Sequence, residues 1–313
     1  MMTSLNLDEF LQLSAFEHWA GQMVDGGDAL RLFHGRGQCY PGYEWLTVDW
    51  FSPLLWLVLY REPPEAFWSA FCDHLKSCFG GELACATVQH RYQTDTPVEC
   101  LWDRLPEAPI VAREQGLSFL LAPGRQQNIG YFMDMAPTRR WLQGVARERR
   151  VLNLFSYTCA FSVSALAAGA ESVVNIDMSK ASLARGRENH RLNGQPLESV
   201  RFLGHDILKS WGKLRKLGPY DIIICDPPSR QKGSFDAERD YQKLIRRMPE
   251  LCAPAASVLF CLNAPWLGEA FLREQVAAFW PEAQFEARLP GREDFPEKGA
   301  DGALKVLRYR APA

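Results

Sequence analysis

The chain has 313 residues, is 47% hydrophobic and carries a formal net charge of −2, so it is long enough to bury one large core or two smaller ones. It has no long uninterrupted apolar run and no charged-then-apolar leader, so we expect neither a membrane helix nor a secretory signal. Its nine cysteines are scattered, without a Cys-x-x-Cys pair or zinc-type spacing, which predicts a reduced, cytoplasmic protein without a structural metal.

Charge is distributed unevenly along the chain. Residues 1 to 125 contain 8 Lys and Arg against 16 Asp and Glu, whereas residues 126 to 313 contain 27 against 21. The near-neutral total argues against a dedicated nucleic-acid binder, but the basic excess of the second half would place a phosphate-binding surface there. Ordinary scatter of surface charge explains the same numbers equally well, so the charge pattern leaves an RNA partner open.

The first 125 residues predict a helical segment followed by a small α+β domain. Residues 1 to 29 carry apolar side chains near helical spacing and are expected to pack on the body of the protein. From residue 30 to residue 125, short aromatic and β-branched runs alternate with turn residues, which is typical of antiparallel hairpins, and Pro123-Gly124 marks the expected boundary. One amphipathic helix is predicted over 65–79, and strands are predicted over 46–51, 54–60, 83–88, 98–102, 110–114 and 117–121.

Residues 126 to 313 predict an open α/β sheet of seven strands with helices between them. The predicted strands cover residues 151–155, 172–176, 200–203, 220–225, 257–262, 284–289 and 304–309. Helices are predicted over 161–168, 180–192, 236–252 and 267–279, and Thr138 is expected to cap one further helix. The polar stretch 229–235 is predicted to be a mobile loop over the carboxyl edge of the sheet.

The ends of successive strands carry the candidate site. Asp177 follows the second strand of the sheet, where a doubly wound fold holds ribose hydroxyls, and Asp206 follows the third, where we expect it to accept from an adenine amino group. The first loop lacks Gly-x-Gly-x-x-Gly, so a nucleoside without phosphates, such as S-adenosylmethionine, fits better than a dinucleotide. For each acid taken singly, a helix cap or a solvated loop residue is the alternative interpretation.

The most specific local signal is Asp226-Pro227-Pro228, directly after the fourth strand. Two prolines fix φ at a strand end and keep the preceding residue extended, so the Asp226 side chain and carbonyl are expected to face the crevice. Those oxygens can orient a planar amine or a ring nitrogen of a base. A merely rigid exit from the strand is the structural alternative.

Several of these stretches, taken together, resemble a known family: Asn153-Leu154-Phe155-Ser156-Tyr157-Thr158, Asp177-Met178-Ser179, Leu192-Asn193-Gly194, Asp226-Pro227-Pro228 and Gly130-Tyr131-Phe132-Met133-Asp134. They are similar to the bacterial S-adenosylmethionine-dependent methyltransferases that modify bases of 23S ribosomal RNA. The resemblance covers residues 128 to 265 and reaches residues 31–37 and 41–42. It implies a Rossmann-like, seven-stranded class I methyltransferase sheet preceded by a small α+β domain, with S-adenosylmethionine as cofactor and ribosomal RNA as partner. It implies no membrane or metal partner, and the sequence does not indicate an oligomeric state.

The resemblance also implies which residues form the site. The implied donor-binding residues are Asp134, Asn153, Phe155, Ser156, Tyr157, Thr158, Asp177, Met178, Asp206, Ile207 and Asp226, and the implied catalytic residues are Asp226, Pro227, Pro228 and Asn263. Family members that methylate cytosine C5 have a cysteine at the position of Asn263, because that carbon reacts only after a thiolate has added to the ring. The asparagine is similar to members that methylate a guanine ring nitrogen, which favours nitrogen methylation of a purine. Cys225 and Cys261 are expected to be core residues.

The chain departs from the family pattern in three ways. Cys159-Ala160 stand where the family commonly has two glycines, and Ala136 stands where it often has an arginine; both bear on donor affinity. The chain also starts too late to include the amino-terminal RNA-binding (PUA) domain that many members carry. Three hypotheses are therefore carried forward: an RNA base methyltransferase, a methyltransferase for a small molecule or a protein, and a donor-binding protein without catalysis.

Overall fold

The computed structural model describes residues 5–80, 85–102, 109–124, 127–231 and 235–313. The chain divides into two compact units: unit 1 comprises Met1–Met133 with Glu293–Lys298, and unit 2 comprises Asp134–Arg292 with Gly299–Ala313. The division falls after Met133 rather than after residue 125, because the segment before Met133 is bonded to unit 1. The Ala122 N–H donates to the Ile129 carbonyl at 2.7 Å, and the Tyr131 ring stacks on Phe119 with centroids 4.9 Å apart.

A five-stranded sheet forms the centre of unit 1, in the order β1-β2-β3-β4-β5. Neighbouring strands are antiparallel except β3 and β4, which are parallel and are joined by the crossover helix α3. A separate hairpin, β6 with β7, precedes the second unit. The elements are α1 (Leu7–Leu13), α2 (Trp19–Gln22), β1 (Leu30–His34), β2 (Leu46–Phe51), β3 (Leu54–Leu59), α3 (Glu65–Phe79), β4 (Cys85–His90), β5 (Val98–Cys100), β6 (Val111–Glu114) and β7 (Leu117–Leu120).

The amino-terminal segment packs on this sheet through aromatic side chains. Phe10 is fully buried, and its ring lies 4.9 Å from that of Phe33 and 5.0 Å from that of Phe71, centroid to centroid. Trp19 is buried in the same apolar cluster. The predicted packing on the body is therefore confirmed for the described part of this segment, residues 5–29. Residues 83 and 84 of one predicted strand lie outside the described residues; the strand itself begins at Cys85.

Unit 2 contains the predicted seven-stranded sheet, in the order β10-β9-β8-β11-β14-β16-β15. The first five strands in this order are parallel, and β16 is antiparallel to both β14 and β15. The elements are α4 (Ala136–Val145), β8 (Arg150–Leu154), α5 (Ala160–Ala167), β9 (Ser172–Asp177), α6 (Lys180–Leu192), β10 (Val200–Gly204), α7 (Trp211–Leu217), β11 (Tyr220–Cys225), β12 (Arg230–Gln231), β13 (Phe235–Asp236), α8 (Ala237–Ile245), β14 (Cys252–Leu262), α9 (Glu269–Phe279), β15 (Gln284–Arg288) and β16 (Lys305–Arg310).

The sheet buries an apolar layer on each face because its strands lie between helices. Leu152 and Leu154 of β8 belong to the core on one face, and Val151 belongs to the core on the other. Consecutive side chains of a strand point to opposite faces, so Asn153 shares the face of Val151. No helix among the described residues is long and apolar enough to cross a lipid bilayer.

Two local predictions were wrong, and prolines account for both. Helix α4 begins at Ala136, so Thr138 lies inside it; Pro137 occupies its first turn, where a missing N–H costs nothing. Helix α8 ends at Ile245 instead of continuing to residue 252, because Pro249 lies in a short 3-10 helix and β14 begins at Cys252. In the predicted loop 229–235, β12 pairs with β13, and residues 232–234 are outside the described residues.

Candidate active site

Four parallel strands of unit 2 end at the same edge of the sheet. Leu154 of β8 lies beside Ile176 and Cys225, and Asp177 of β9 lies beside Gly204 of β10. The residues that follow these strands therefore share the carboxyl edge, which is where open α/β sheets bind ligands. This is the convergence that the sequence predicted for the loop after β8, Asp177, Asp206 and Asp226.

The loop after β8 has an unusual backbone. Phe155, Tyr157 and Cys159 have φ values of 58°, 45° and 63°, a left-handed conformation that residues with a side chain adopt rarely. Two hydrogen bonds hold the loop on β9: the Ser156 N–H donates to the Ile176 carbonyl at 3.1 Å, and the Tyr157 N–H donates to Asp177 Oδ2 at 2.9 Å. Backbone strain of this kind is typical of ligand-binding loops.

Cys159 stands where the family commonly has a glycine, and its side chain fits there because the facing residue of helix α6, Gly186, has none. A Cβ atom added at Gly186 of α6 would lie 2.4 Å from Cys159 Sγ, which is too close for any two side-chain atoms. The thiol is fully buried, and burial raises its pKa to about 12, so it is a neutral packing group. The departure from the family pattern at this position is thus accommodated by Gly186.

Asp177 already accepts two backbone hydrogen bonds. Its Oδ2 atom accepts from Tyr157, and its Oδ1 atom accepts from the Ser179 N–H at 2.8 Å. An ionised carboxylate offers about four lone-pair sites, so it retains capacity for ribose hydroxyls. The next residue, Met178, is 58% exposed and offers an apolar surface beside the acid. These features fit the sugar and base of a nucleoside.

Asp206 is a helix cap, the alternative that the sequence left open. Its Oδ1 atom accepts from the Leu208 N–H at 2.9 Å at the start of a 3-10 helix, Ile207–Lys209, and its Oδ2 atom lies 3.4 Å from Lys209 Nζ. Ile207 is buried in the apolar core. Contact between Asp206 and an adenine amino group stays a prediction.

Asn153 heads a buried chain of hydrogen bonds between the sheet and helices α5 and α6. Its amide donates to Asn175 Oδ1 at 2.9 Å, and the Asn175 amide donates to Ser162 Oγ at 2.9 Å. Ser162 Oγ lies 2.9 Å from His190 Nε2, and His190 Nδ1 lies 2.7 Å from Gln195 Oε1. The Gln195 amide nitrogen donates to the Val163 carbonyl at 2.8 Å, so Gln195 Oε1 accepts from His190 Nδ1, which carries the imidazole proton, and His190 Nε2 accepts from the Ser162 hydroxyl.

Two polar atoms in β8 and the loop after it are buried and unpartnered among the described residues: Asn153 Oδ1 and Ser156 Oγ. Buried acceptors are almost always paired in proteins, so an unpaired one suggests a missing ligand or water. Together with the carboxylate of Asp177 and the exposed Met178, they fit the amino and hydroxyl groups and the adenine of S-adenosylmethionine. The residues implied by the family resemblance are therefore chemically suited to that cofactor.

Asp226 carries a perturbed carboxyl group. Burial, reinforced by the negative charge of Asp134 and opposed by the Arg139 guanidinium, raises its pKa to about 7. Asp134 lies in the short 3-10 helix before α4, and Arg139 lies in α4 itself. The Arg139 side chain is only 1% exposed. A carboxyl group that titrates near neutral pH can accept a proton during a reaction, so Asp226 has the property expected of a catalytic base.

The Asp226-Pro227-Pro228 turn and Asn263 lie close together. The Ser229 hydroxyl, next after the prolines, donates to the Asn263 carbonyl, and Asn263 itself is exposed at the end of β14. Behind this turn, the fully buried Lys305 donates to the Ala264 carbonyl at 2.8 Å and to the Asp301 carbonyl. The structure therefore places the Asp226-Pro227-Pro228 turn next to the Asn263 backbone, and Lys305 holds the residue that follows Asn263.

Cys225 and Cys261 are core residues, as predicted. Both are fully buried in the apolar layers of the sheet, and burial raises the pKa of each thiol well above its ordinary value. A nucleophilic cysteine needs an accessible thiolate, and neither residue provides one.

Four residues of the site escaped the sequence analysis: Arg139, Asn175, Gly186 and Lys305. The asparagine had a signal, because Asn153 and Asn175 stand at matching places in two apolar runs and lie side by side in adjacent strands. The other three act through contacts with residues far along the chain, which spacing does not reveal.

A mostly parallel sheet with this strand order, a loop after β8 that is hydrogen-bonded to β9 and an acid at the end of β9 define an α/β domain of the nucleoside-binding class. The chain belongs to the S-adenosylmethionine-dependent methyltransferase family, whose sequence profile matches residues 30–310.

Three named relatives are ribosomal RNA large subunit methyltransferases. The methyltransferase I of Salmonella arizonae is 30% identical over 79% of this chain and 63% of its own length, and that of Aeromonas salmonicida is 32% identical over 55% and 44%. The methyltransferase K/L of a Shewanella species is 36% identical over 49% of this chain and 23% of its own length. This chain therefore spans less than two thirds of the relatives it matches.

Solved structures show the same fold. A proposed S-adenosylmethionine-dependent methyltransferase from Streptococcus mutans is 24% identical, covering 99% of this chain and 83% of its own, with a TM-score of 0.84. The tRNA m1G37 methyltransferase of M. jannaschii is 12% identical, covering 98% and 78%, with a TM-score of 0.61.

Proposed function

We propose that this chain transfers the methyl group of S-adenosylmethionine to a purine ring nitrogen in RNA of the large ribosomal subunit. The carrying observation is the Asp226 carboxyl, whose pKa is raised to about 7 at the edge of a methyltransferase sheet. The names of the relatives supply the RNA class. All nine cysteines are free, which supports a site of action in the reducing cytoplasm.

Each part of the edge has a proposed task in donor binding. Asp177 accepts from the ribose hydroxyls, Met178 and Phe155 cover the adenine, and Asp206 accepts from its amino group. Asn153 Oδ1 and Ser156 Oγ accept hydrogen bonds from the amino and hydroxyl groups of S-adenosylmethionine. The backbone of Tyr157 and Thr158 shapes the loop after β8. Ile207 supports the base from the core, and Asp134 lies beside Asp226 with a negative charge for the positively charged donor.

S-adenosylmethionine supplies an electrophilic methyl group on a sulfonium. The protein must orient the lone pair of the target nitrogen toward that methyl and, where the nitrogen carries a hydrogen as N1 of guanine does, take up the proton that leaves on methylation. Asp226 accepts this proton, because its pKa of about 7 keeps it ionised in part at neutral pH yet basic enough to take the proton. Pro227 and Pro228 hold the Asp226 backbone extended, and the Asn263 side-chain amide orients the base edge.

The buried cysteines favour nitrogen over carbon as the methylated atom. Methylation at cytosine C5 needs a thiolate that adds to the ring, and Cys225 and Cys261 are both buried with raised pKa values. A Cys225→Ser, Cys261→Ser double variant should keep its activity if the ring nitrogen is the target. Loss of transfer with retained donor binding would reverse this assignment.

The test uses purified protein and donor labelled in the methyl group. Calorimetry with S-adenosylmethionine first establishes donor binding, and Asp177→Asn should weaken it without a change in folding. Labelled transfer is then compared among large-subunit RNA stripped of protein, intact large subunits and protein extract, followed by mass analysis of digested nucleosides. We expect a methylated purine in one of the RNA samples. Donor binding with label in protein or small molecules alone would overturn the RNA substrate, and binding without any transfer would overturn catalysis.

A further inference from the structure

Three strands of the unit 1 sheet end at one edge. Strand β1 is antiparallel to β2, β2 is antiparallel to β3, and β3 is parallel to β4, so β1, β3 and β4 run in the same direction. Leu59 pairs with His90 at the ends of β3 and β4. Tyr60 follows β3 and Arg91 follows β4, so these two residues lie side by side at this edge of the sheet. The turn that follows β1 lies at the same edge.

The turn after β1 presents an arginine between two glycines that admit no side chain. A Cβ atom at Gly35 would lie 1.9 Å from the Tyr43 carbonyl oxygen, and one at Gly37 would lie 1.8 Å from the Pro296 carbonyl oxygen. Close backbone approach on both sides fixes the turn, and Arg36 between them is exposed.

Two guanidinium groups lie on the ring of Tyr60. The Arg36 Cζ atom is 4.2 Å from the ring centroid, and the Arg91 Cζ atom is 5.5 Å from it. Arg91 is further fixed by hydrogen bonds from its Nη2 atom to Asn128 Oδ1 at 2.9 Å and from its Nε atom to Gln89 Oε1 at 3.1 Å. Arg36, Tyr60 and Arg91 thus form a preorganised group, which we name the arginine–tyrosine patch.

The patch is locally positive in an acidic part of the sequence. Residues 1 to 125 carry twice as many acidic as basic side chains, yet among the described residues no carboxylate pairs with Arg36 or Arg91. The pKa of the neighbouring His34 is lowered to about 3. Burial is the largest cause, and the positive charges of Arg31 and Arg36 follow.

Arg230 of unit 2 provides a contrast. Its guanidinium also lies over an aromatic ring, 5.5 Å from the centroid of Trp266, but it pairs with Asp236 at 2.9 Å and lies 3.6 Å from Glu238. The negative charges of those carboxylates offset the positive charge of Arg230, so Arg230 attracts a phosphate only weakly. In the patch, by contrast, neither guanidinium forms an ion pair with a carboxylate of the residues that the structure describes.

We propose that the arginine–tyrosine patch is a contact site for single-stranded RNA, resting on the RNA substrate of the proposed function. Guanidinium groups pair with phosphates, and their planes and the Tyr60 ring give bases a surface on which to stack. Planar cations already stacked on an aromatic ring lose little freedom on binding. This site would give the chain an RNA contact within residues 1 to 133.

The experiment measures anisotropy of a fluorescent oligouridylate of about 12 nucleotides with the whole protein over a series of salt concentrations. An Arg36→Ala, Arg91→Ala variant should bind about tenfold more weakly. The slope of log affinity against log salt should be smaller by about 1.4, since each lost phosphate contact removes about 0.7. Tyr60→Phe should bind as the unchanged protein does, whereas Tyr60→Ser should lose affinity with little change in slope.

Controls separate the patch from general charge and from misfolding. Lys76→Ala removes one exposed positive charge of the same unit from helix α3 and should leave binding unchanged. Arg36→Ala alone tests the patch without touching the Arg91 hydrogen bonds. Equal weakening by Lys76→Ala, or equal competition by polyglutamate and oligouridylate, would overturn the proposal.

Methyl transfer distinguishes this proposal from the proposed function. If the unchanged protein methylates large-subunit RNA and the patch variants bind and methylate it equally well, the patch proposal fails and the proposed function stands. If the unchanged protein neither binds nor methylates RNA, both fail. Patch variants with weakened RNA binding but unaltered S-adenosylmethionine binding by calorimetry would support the site.

Discussion

Two charges act on the pKa of the Asp226 carboxyl in opposite directions: the carboxylate of Asp134 raises it, and the guanidinium of Arg139 lowers it. Burial raises its pKa to about 7, against an ordinary value near 4, so between about pH 4 and pH 7 the folded chain holds a proton that the unfolded chain has lost. By linkage, this group makes the folded protein less stable as pH rises through that range. The same property that suits Asp226 to accept a proton therefore has a cost in stability.

An Asp226→Asn variant should separate these two effects. We expect its free energy of unfolding at pH 8 to exceed that of the unchanged protein by roughly 1–4 kcal/mol, with a smaller difference near pH 4. Methyl transfer should be lost at every pH, whereas in the unchanged protein it should rise with pH around 7. Denaturant unfolding at both pH values and initial rates measure these quantities. The exposed Glu148→Gln is the control, and an equal gain there would contradict the explanation.

Cys159 and Gly186 should be energetically coupled. A Gly186→Ala change places a methyl group 2.4 Å from Cys159 Sγ and should destabilise unit 2 by about 1–3 kcal/mol. Adding Cys159→Gly removes the obstructing atom and suits the left-handed backbone there, so the double variant should regain much of the loss. Gly144→Ala is the control: it lies in helix α4 with open space around it and should stabilise slightly. Additive effects of the two changes would refute the coupling.

At the scale of elements, the Asn153–Asn175 pair joins the parallel strands β8 and β9 beside the loop after β8. Asn175→Leu keeps the approximate volume but leaves the Asn153 amide without its acceptor and removes one of the two hydrogen bonds of the Ser162 hydroxyl, so we expect a loss of about 1–3 kcal/mol. A double Asn153→Leu, Asn175→Leu variant should lose less than the sum of the single changes. A double-mutant cycle by chemical denaturation measures this, and a cycle without coupling would show that the chain of hydrogen bonds contributes nothing jointly.

The positions of the seven strands and the carboxyl edge could be predicted from the sequence because both follow local patterns. Apolar runs about 25 residues apart, with helices between them, specify a parallel sheet, and the acids follow their strands directly. The pKa of Asp226 could not be predicted, because it depends on Asp134 and Arg139, which lie about 90 residues earlier in the chain. The same limit applies to Gly186 and Lys305, whose partners are set by packing rather than by spacing. Two helix ends were predicted wrongly because the effect of a proline depends on its position: Pro137 fits the first turn of α4, whereas Pro249 lies beyond the end of α8.

At the scale of the whole molecule, each unit contains a buried histidine whose pKa is lowered, chiefly by burial. His34 of unit 1 has a pKa of about 3, and His190 of unit 2 has a pKa of about 4. Both are neutral in the folded chain: Arg31 donates to Nδ1 of His34, and His190 is held between Ser162 and Gln195. In the unfolded chain both imidazoles bind a proton as pH falls through about 6.5, whereas in the folded chain they stay neutral. The free energy of unfolding therefore decreases as pH falls from about 6.5 toward 4.

The two histidines should destabilise their own units as pH falls. Asp226 acts in the opposite direction between about pH 4 and pH 7, so the Asp226→Asn background isolates the histidine effect. In that background we expect stability to fall from pH 7 to pH 4.5, as the unfolded chain binds up to about two more protons than the folded chain. Hydrogen exchange followed by mass spectrometry reports each unit separately, because core peptides of β3 and β8 belong to different units. His34→Gln should flatten the pH dependence of β3 peptides alone, and His190→Gln that of β8 peptides alone. If either variant flattened both sets equally, the two units would unfold as one cooperative body, and acid stability would be a property of the whole chain rather than of each unit.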